Sequence, residues 1–384
     1  MAASFCTKMF ADLGAEVIKV EPPEGDVLRQ RGPFANDEPG PERSGLFAYL
    51  NTSKLGVTLD VRSERGREIF DELMRNADIF VEQNSPAWLA AAELDYEHLQ
   101  SAHPSLVMTS ITPFGQDGPW RDYLGSDFIV QHTSGIAFHN GARAKDLEAE
   151  PPIVLPGYAG EFVGGLAAAS ATMCALFGEQ GAHVDVALQE ALAMHLQVDM
   201  ARVTYTGEVP SRSASAIPPV PYVGQQPTAD GYIDYVVRTQ EQWRRFLKVL
   251  GDPEWSENEL FAEMRGRSEH WDALEPLIQQ ETHRFPKEQL FRESQAQGVS
   301  AAAVNTVADA AQAAHFQDRG SFAEFEHPVI GRVQCPGAPI GFGGDVWHIR
   351  RPAPLLGQHN REIYGGRLGY SDEELATLSG AGVV

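Results

Sequence analysis

VTLDVRSERGREIFDELMRNADIFVE, residues Val57 to Glu82, decides the fold of this chain. Its two ends, VTLDV (57–61) and DIFVE (78–82), are short, β-branched and apolar, and read as strands. Between them Ile69 and Leu73 lie four apart, with Phe70 and Met74 beside them, an apolar stripe at helical spacing. A strand, a helix and a strand in so short a span make a βαβ unit with a right-handed crossover. Further strand-like runs are EVIKVE (16–21), SLVMTSI (105–111) and HVDVAL (183–188). The chain is therefore expected to be α/β, with a large parallel sheet. No G-x-G-x-x-G follows an early strand and there is no P-loop, which argues against nicotinamide chemistry.

A chain of 384 residues can bury a large core and suggests two or three domains. The formal net charge of -23 argues against nucleic acid or an anionic membrane as partner, since both need a basic footprint. No apolar run is expected to approach the ~18 residues of a membrane span. MAASFCTKMF at the N-terminus lacks the apolar region and cleavage site of a signal peptide, so a cytoplasmic location is the default. Cys6, Cys174 and Cys335 are widely separated and form neither a metal spacing nor a disulfide framework.

The stretch EVPSRSASAIPPVPYVGQQPTAD is rich in Pro, Ser and Gly, so residues 207–231 read as a linker. A different module follows at 232–319. There GYIDYVV is a strand, Thr239 and Gln242 form a capping box, and Trp243, Phe246, Leu247 and Leu250 make a core-facing stripe that Gly251 ends. Residues 320–384 are rich in Gly and Pro, with a late helix from Ser371.

Gly160-Glu161-Phe162-Val163-Gly164-Gly165, followed by LAAASATMCALF, places one carboxylate at the entrance of a helix without a polar stripe. Such a helix reads as buried, and Cys174 within it as a small core residue. Taken alone, Glu161 is equally a solvated or capping acid at a helix start.

Several motifs in order carry a stronger reading. They are ADLGAEVIKVEPPEGDVLR (11–29), LNTSKLGVTLDVR (50–62), ADIFVE (77–82), SITPFGQDGPWRDYLGSD (110–127), the Gly160 block, HVDVALQEA (183–191) and RPAPLLGQHN (351–360). With them the chain resembles the family III CoA-transferases of the CaiB–BaiF type over nearly its whole length. The resemblance implies a large Rossmann-like, CoA-binding domain from residues 1–206, completed by the return segment 320–384, with the smaller α+β domain inserted. It implies an intertwined dimer, either a homodimer or a heterodimer with a homologous subunit. Family members carry a strand and turn before the position of Met1, whereas this chain begins at the helix that normally follows.

The resemblance also implies a reaction. A carboxylate, Asp in the family and Glu161 here, attacks an acyl-CoA, and CoA passes through a covalent intermediate to a carboxylic acid. Coenzyme A is then a substrate, and no separate cofactor is implied. Gly164 and Gly165 would allow close backbone approach to the thioester. Arg29 and Arg62 would pair with CoA phosphates, and Leu59, Gln83, Asn84, Ser126 and Asp127 fall at other positions of the CoA site. The family's Val-Glu-Asn-Phe reads Val81-Glu82-Gln83-Asn84, a family arginine falls at Ala91, and the glycine-rich flap is reduced to Val223-Gly224-Gln225-Gln226. The alternatives are a catalytically silent subunit paired with an active homologue, or an acyl-CoA racemase. A racemase would need a His where Ser126 stands, with His132 reading as a helix-surface residue.

Overall fold

The computed structural model describes all residues except 141–143, 145, 179, 211, 213–222, 342 and 345. The chain divides into two compact units. One comprises 1–142, 148–211 and 320–384, the other 143–147 and 212–319.

In the first unit β1 (Ile18–Glu21) pairs in parallel with β2 (Leu55–Thr58). A second parallel sheet has the order β3 (Ile79–Glu82), β4 (Val107–Thr112), β5 (Ala182–Ala187). The single large sheet expected from the sequence is thus two sheets, because no described strand joins β1 to β3. Every residue of β2 and of β4 is buried, as fits parallel strands covered on both faces. The helix between β2 and β3, Glu64–Met74, lays Ile69, Phe70 and Met74 on a core shared with Val57 and Met108. Its start is capped by Ser63, whose hydroxyl accepts from the Gly66 N–H.

The C-terminal segment returns to this core. Ile363 and Tyr364 are fully buried there, and the Tyr364 hydroxyl donates to the Thr58 carbonyl at 2.9 Å. The Gly-Gln-His-Asn stretch lies along β2: His359 N–H donates to Gly56 O, and Gly56 N–H donates to His359 Nδ1, both at 2.9 Å. Asn360 brackets Thr58 in the same manner, with Oδ1 accepting from the backbone and Nδ2 donating to the hydroxyl. The late helix Asp372–Gly380 has its capping box between Ser371 and Glu374.

The second unit holds an antiparallel sheet. β6 (Gly224–Thr228) and β8 (Ser300–Ala303) flank β7 (Gly231–Val236). The linker expectation for 207–231 is corrected at its end, since β6 lies inside it; residues 213–222 lie outside the described residues. The helix Gln240–Val249 opens on the Thr239–Gln242 capping box and buries Trp243, Phe246 and Val249 against Ile233, Tyr235 and Leu274. In the first unit, β9 (Phe322–His327) and β10 (Gly331–Pro336) form an antiparallel hairpin.

Candidate active site

The 19-residue helix Ala159–Phe177 begins after Tyr158, whose backbone is left-handed (φ 61°, ψ 44°). Its small residues admit neighbours at close range. A Cβ on Gly164 would stand 2.2 Å from Leu188 Cδ2, and one on Gly165 2.7 Å from the Ala2 carbonyl. Both glycines are therefore spent on helix packing, a correction to the expectation that they leave room for a thioester.

The opposite flank of this helix is exposed among the described residues. Leu166, Met173 and Cys174 are exposed, and Phe177 is 90% exposed. The expectation of a wholly buried helix with Cys174 in a core is corrected: one stripe packs and the other does not. The expectation about apolar runs is corrected as well, since this helix is long and apolar enough to cross a membrane by length and composition. Its packed stripe lies against the first helix (Ala2–Leu13), β4, β5 and the helix Leu188–Ala193, the setting of a core helix.

Glu161 lies in the first turn, its side chain 14% exposed. The carboxylate reaches the start of the first helix, where Oε2 accepts from the Ala2 N–H and from Gln83 Nε2, each at 2.8 Å. An acid at a helix N-terminus meets unpaired donors and the positive end of the dipole. The backbone N–H of Glu161 donates to Asp127 Oδ1 at 3.1 Å. Asp127 itself opens the helix Asp127–Thr133, which Ser126 caps. Its Oδ2 accepts from Gln131 Nε2 at 2.7 Å, and Gln131 Oε1 accepts from the Leu155 N–H ahead of the Glu161 helix. Phe162 packs edge-on against Phe5, ring centroids 4.8 Å apart.

The structure thus brings Glu161, Asp127 and Gln83 together. Asn84 adjoins them, its backbone and side-chain N–H groups both donating to Glu82 Oε2. Burial pushes the Glu82 carboxyl up from its ordinary range. Ser126 contributes as a helix cap.

The expected phosphate partners stand elsewhere. Arg29 is 1% exposed and all five of its N–H donors are occupied. Nε and Nη2 grip Glu21 at 2.7 and 2.8 Å, Nη2 also meets the Pro354 carbonyl, and Nη1 meets Glu42 and the Pro41 carbonyl. Its plane lies 3.8 Å over the Phe47 ring. The expectation of a phosphate ligand at Arg29 meets a buried arginine whose donors are all engaged by the protein in this structure. Leu59 has its side chain in the core and its N–H bonded to the Glu21 carbonyl. Arg62 is exposed, and among the described residues its guanidinium pairs through Nε with Asp60 at 2.8 Å and keeps further donors free.

Sequence reasoning missed Gln131, although its i,i+4 spacing from Asp127 on one helix was readable. It also missed Glu21 and Glu42 as partners of Arg29, which come from separate segments and leave no spacing signal.

The family model for CoA-transferase family III matches residues 1–360. The chain belongs to this family. It is 31% identical to the succinyl-CoA:(R)-benzylsuccinate CoA-transferase subunit BbsE of Thauera aromatica, over 99% of this chain and 94% of that protein. It is 30% identical to the human succinyl-CoA:glutarate CoA-transferase, over 100% of this chain and 87% of the relative. Among solved structures it is similar to a CaiB/BaiF family protein from Brucella suis, with a TM-score of 0.84, 28% identity and 95% of each chain covered. The family III chain is accordingly an enzyme of the CoA-transferase class.

Proposed function

We propose that this enzyme moves CoA from succinyl-CoA to a second carboxylic acid, with Glu161 as the covalent nucleophile. The observation that carries the reading is the placement of a nearly buried carboxylate against backbone and amide donors at the start of the first helix. Succinyl-CoA is the proposed donor because relatives spanning this chain are named for it.

A Glu161 oxygen attacks the thioester carbonyl carbon, the C–S bond breaks and CoA leaves as thiolate with the electron pair. The thiolate then attacks the glutamyl carbonyl of the mixed anhydride, releasing succinate and leaving a Glu161–CoA thioester. The acceptor carboxylate displaces CoA in turn, and the returning thiolate attacks the acceptor acyl carbon and frees Glu161. Each step exchanges one acyl bond for another, and exclusion of water protects the anhydride.

Incorporation of labelled succinate into succinyl-CoA tests this without knowledge of the acceptor. Exchange by the wild type and its loss in Glu161→Gln, with the fold retained, are expected. Normal exchange by Glu161→Gln would remove Glu161 from the mechanism.

A second reading is a subunit that works only with a homologous chain. It takes its support from the Thauera relative, which is named as a subunit. Both readings include a dimer, and the exposed apolar flank around Met173 and Phe177 supports one.

A further inference from the structure

The amide of Gln83 lies between the start of the first helix and the Glu161 carboxylate. Its Oε1 accepts from the Ala3 N–H at 3.1 Å, and its Nε2 donates to Glu161 Oε2 at 2.8 Å. A backbone N–H can only donate, so Ala3 determines which end of the amide faces it, and the NH2 group must face the carboxylate. The turn after β3 is held from the other side. Glu82 Oε2 accepts from the Asn84 backbone at 2.6 Å and from its side chain at 3.2 Å, so the residues on both sides of Gln83 are tied together.

The two oxygens of Glu161 are consequently unequal. Oε2 takes both the Ala2 N–H and the Gln83 amide, whereas Oε1 receives no hydrogen bond among the described residues. We infer that Gln83 is a positioning residue: it holds Oε2 so that Oε1 is presented as the attacking oxygen. The inference rests on the reading of Glu161 as nucleophile. A glutamate has several rotatable bonds, and ordering such a side chain carries an entropic cost that a fixed donor offsets in advance. Without the amide, Oε2 keeps the Ala2 N–H at 2.8 Å and the more distant N-terminal ammonium of Met1 at 3.7 Å, and the carboxylate is held less firmly.

This role differs from a contact to CoA in the constant it controls. A positioning residue acts on turnover and leaves CoA affinity alone, whereas a CoA contact acts on affinity. Misplacement of a reacting group by ~1 Å costs about 100-fold in rate.

The test uses the full chain and its Gln83→Ala, Gln83→Glu and Glu161→Gln variants. Succinate–succinyl-CoA exchange, calorimetric titration with CoA, and thermal unfolding are measured on each. Gln83→Glu keeps the length of the side chain but sets an acceptor against the carboxylate. Exchange kcat is expected to fall about 10- to 100-fold in both Gln83 variants. The CoA Kd should stay within about 3-fold of wild type and the unfolding midpoint should be unchanged. Weakened CoA binding with normal kcat would overturn the inference in favour of a CoA contact. A loss of activity that tracks a lowered midpoint would overturn it in favour of a structural role. If Glu161→Gln is inactive while both Gln83 variants exchange normally, the Gln83 inference alone fails. If the wild type does not exchange, or Glu161→Gln exchanges normally, the reading beneath it fails too.

Discussion

Replacement of Arg29 by Met separates a structural arginine from a phosphate ligand. The methionine keeps an apolar stem of similar length against Phe47 while removing all five donors. Glu42 is partly exposed and can turn to water, but Glu21 is 1% exposed and loses both of its guanidinium hydrogen bonds. Removing one partner of a buried pair costs about 3–5 kcal/mol, mostly through the uncompensated charge left behind. In a folded unit of this size each kcal/mol moves the midpoint by about 2 °C, so a drop of roughly 6–10 °C is expected in calorimetry. Substituting both partners, Glu21→Leu with Arg29→Met, should recover most of the loss, because no buried charge then lacks its partner. The decisive comparison is with CoA titration of the same proteins. An Arg29→Met protein that melts with the wild type yet binds CoA at least about tenfold more weakly would refute the reasoning. It would show that the guanidinium leaves Glu21 to meet a phosphate.

Two further outcomes follow from the packing of the Ala159–Phe177 helix. Gly164→Ala should destabilise by about 1–3 kcal/mol in urea unfolding, because the new methyl would overlap Leu188 Cδ2, and Leu188→Ala in the same chain should relieve it. The wild type should sediment as a dimer at micromolar concentration and Met173→Glu/Phe177→Asp as a monomer; a wild-type monomer would refute the assignment of this flank to an interface.

The α/β class, the five strands of the parallel sheets, β7, the capping box at Thr239 and the late helix from Ser371 were legible in the sequence because each rests on local spacing. Legibility failed where the deciding contact joins distant segments. An arginine after Gly25-Asp26 gives no sign that Glu21, Glu42 and Pro354 will enclose it. The small-residue run after Gly160 implies burial, yet only the stripe facing the first helix and Leu188 is covered, and periodicity cannot say how many flanks have a neighbour.

Glu161 shows the same limit in its sharpest form. Its residue type is evident, and against the Asp that the sequence resemblance implies at this position, the extra methylene looks from sequence like a displacement. In the fold that length is matched by what it reaches, the Ala2 N–H and the Gln83 amide, each at 2.8 Å. A shorter acid on the same backbone would fall short of both donors by about 1 Å, and if Glu161 is the nucleophile as proposed, a misplacement of that size costs about 100-fold in rate. Length of side chain and position of its holders therefore act as a single feature, and Glu161→Asp without a matching shift of Gln83 is expected to leave the carboxylate unheld.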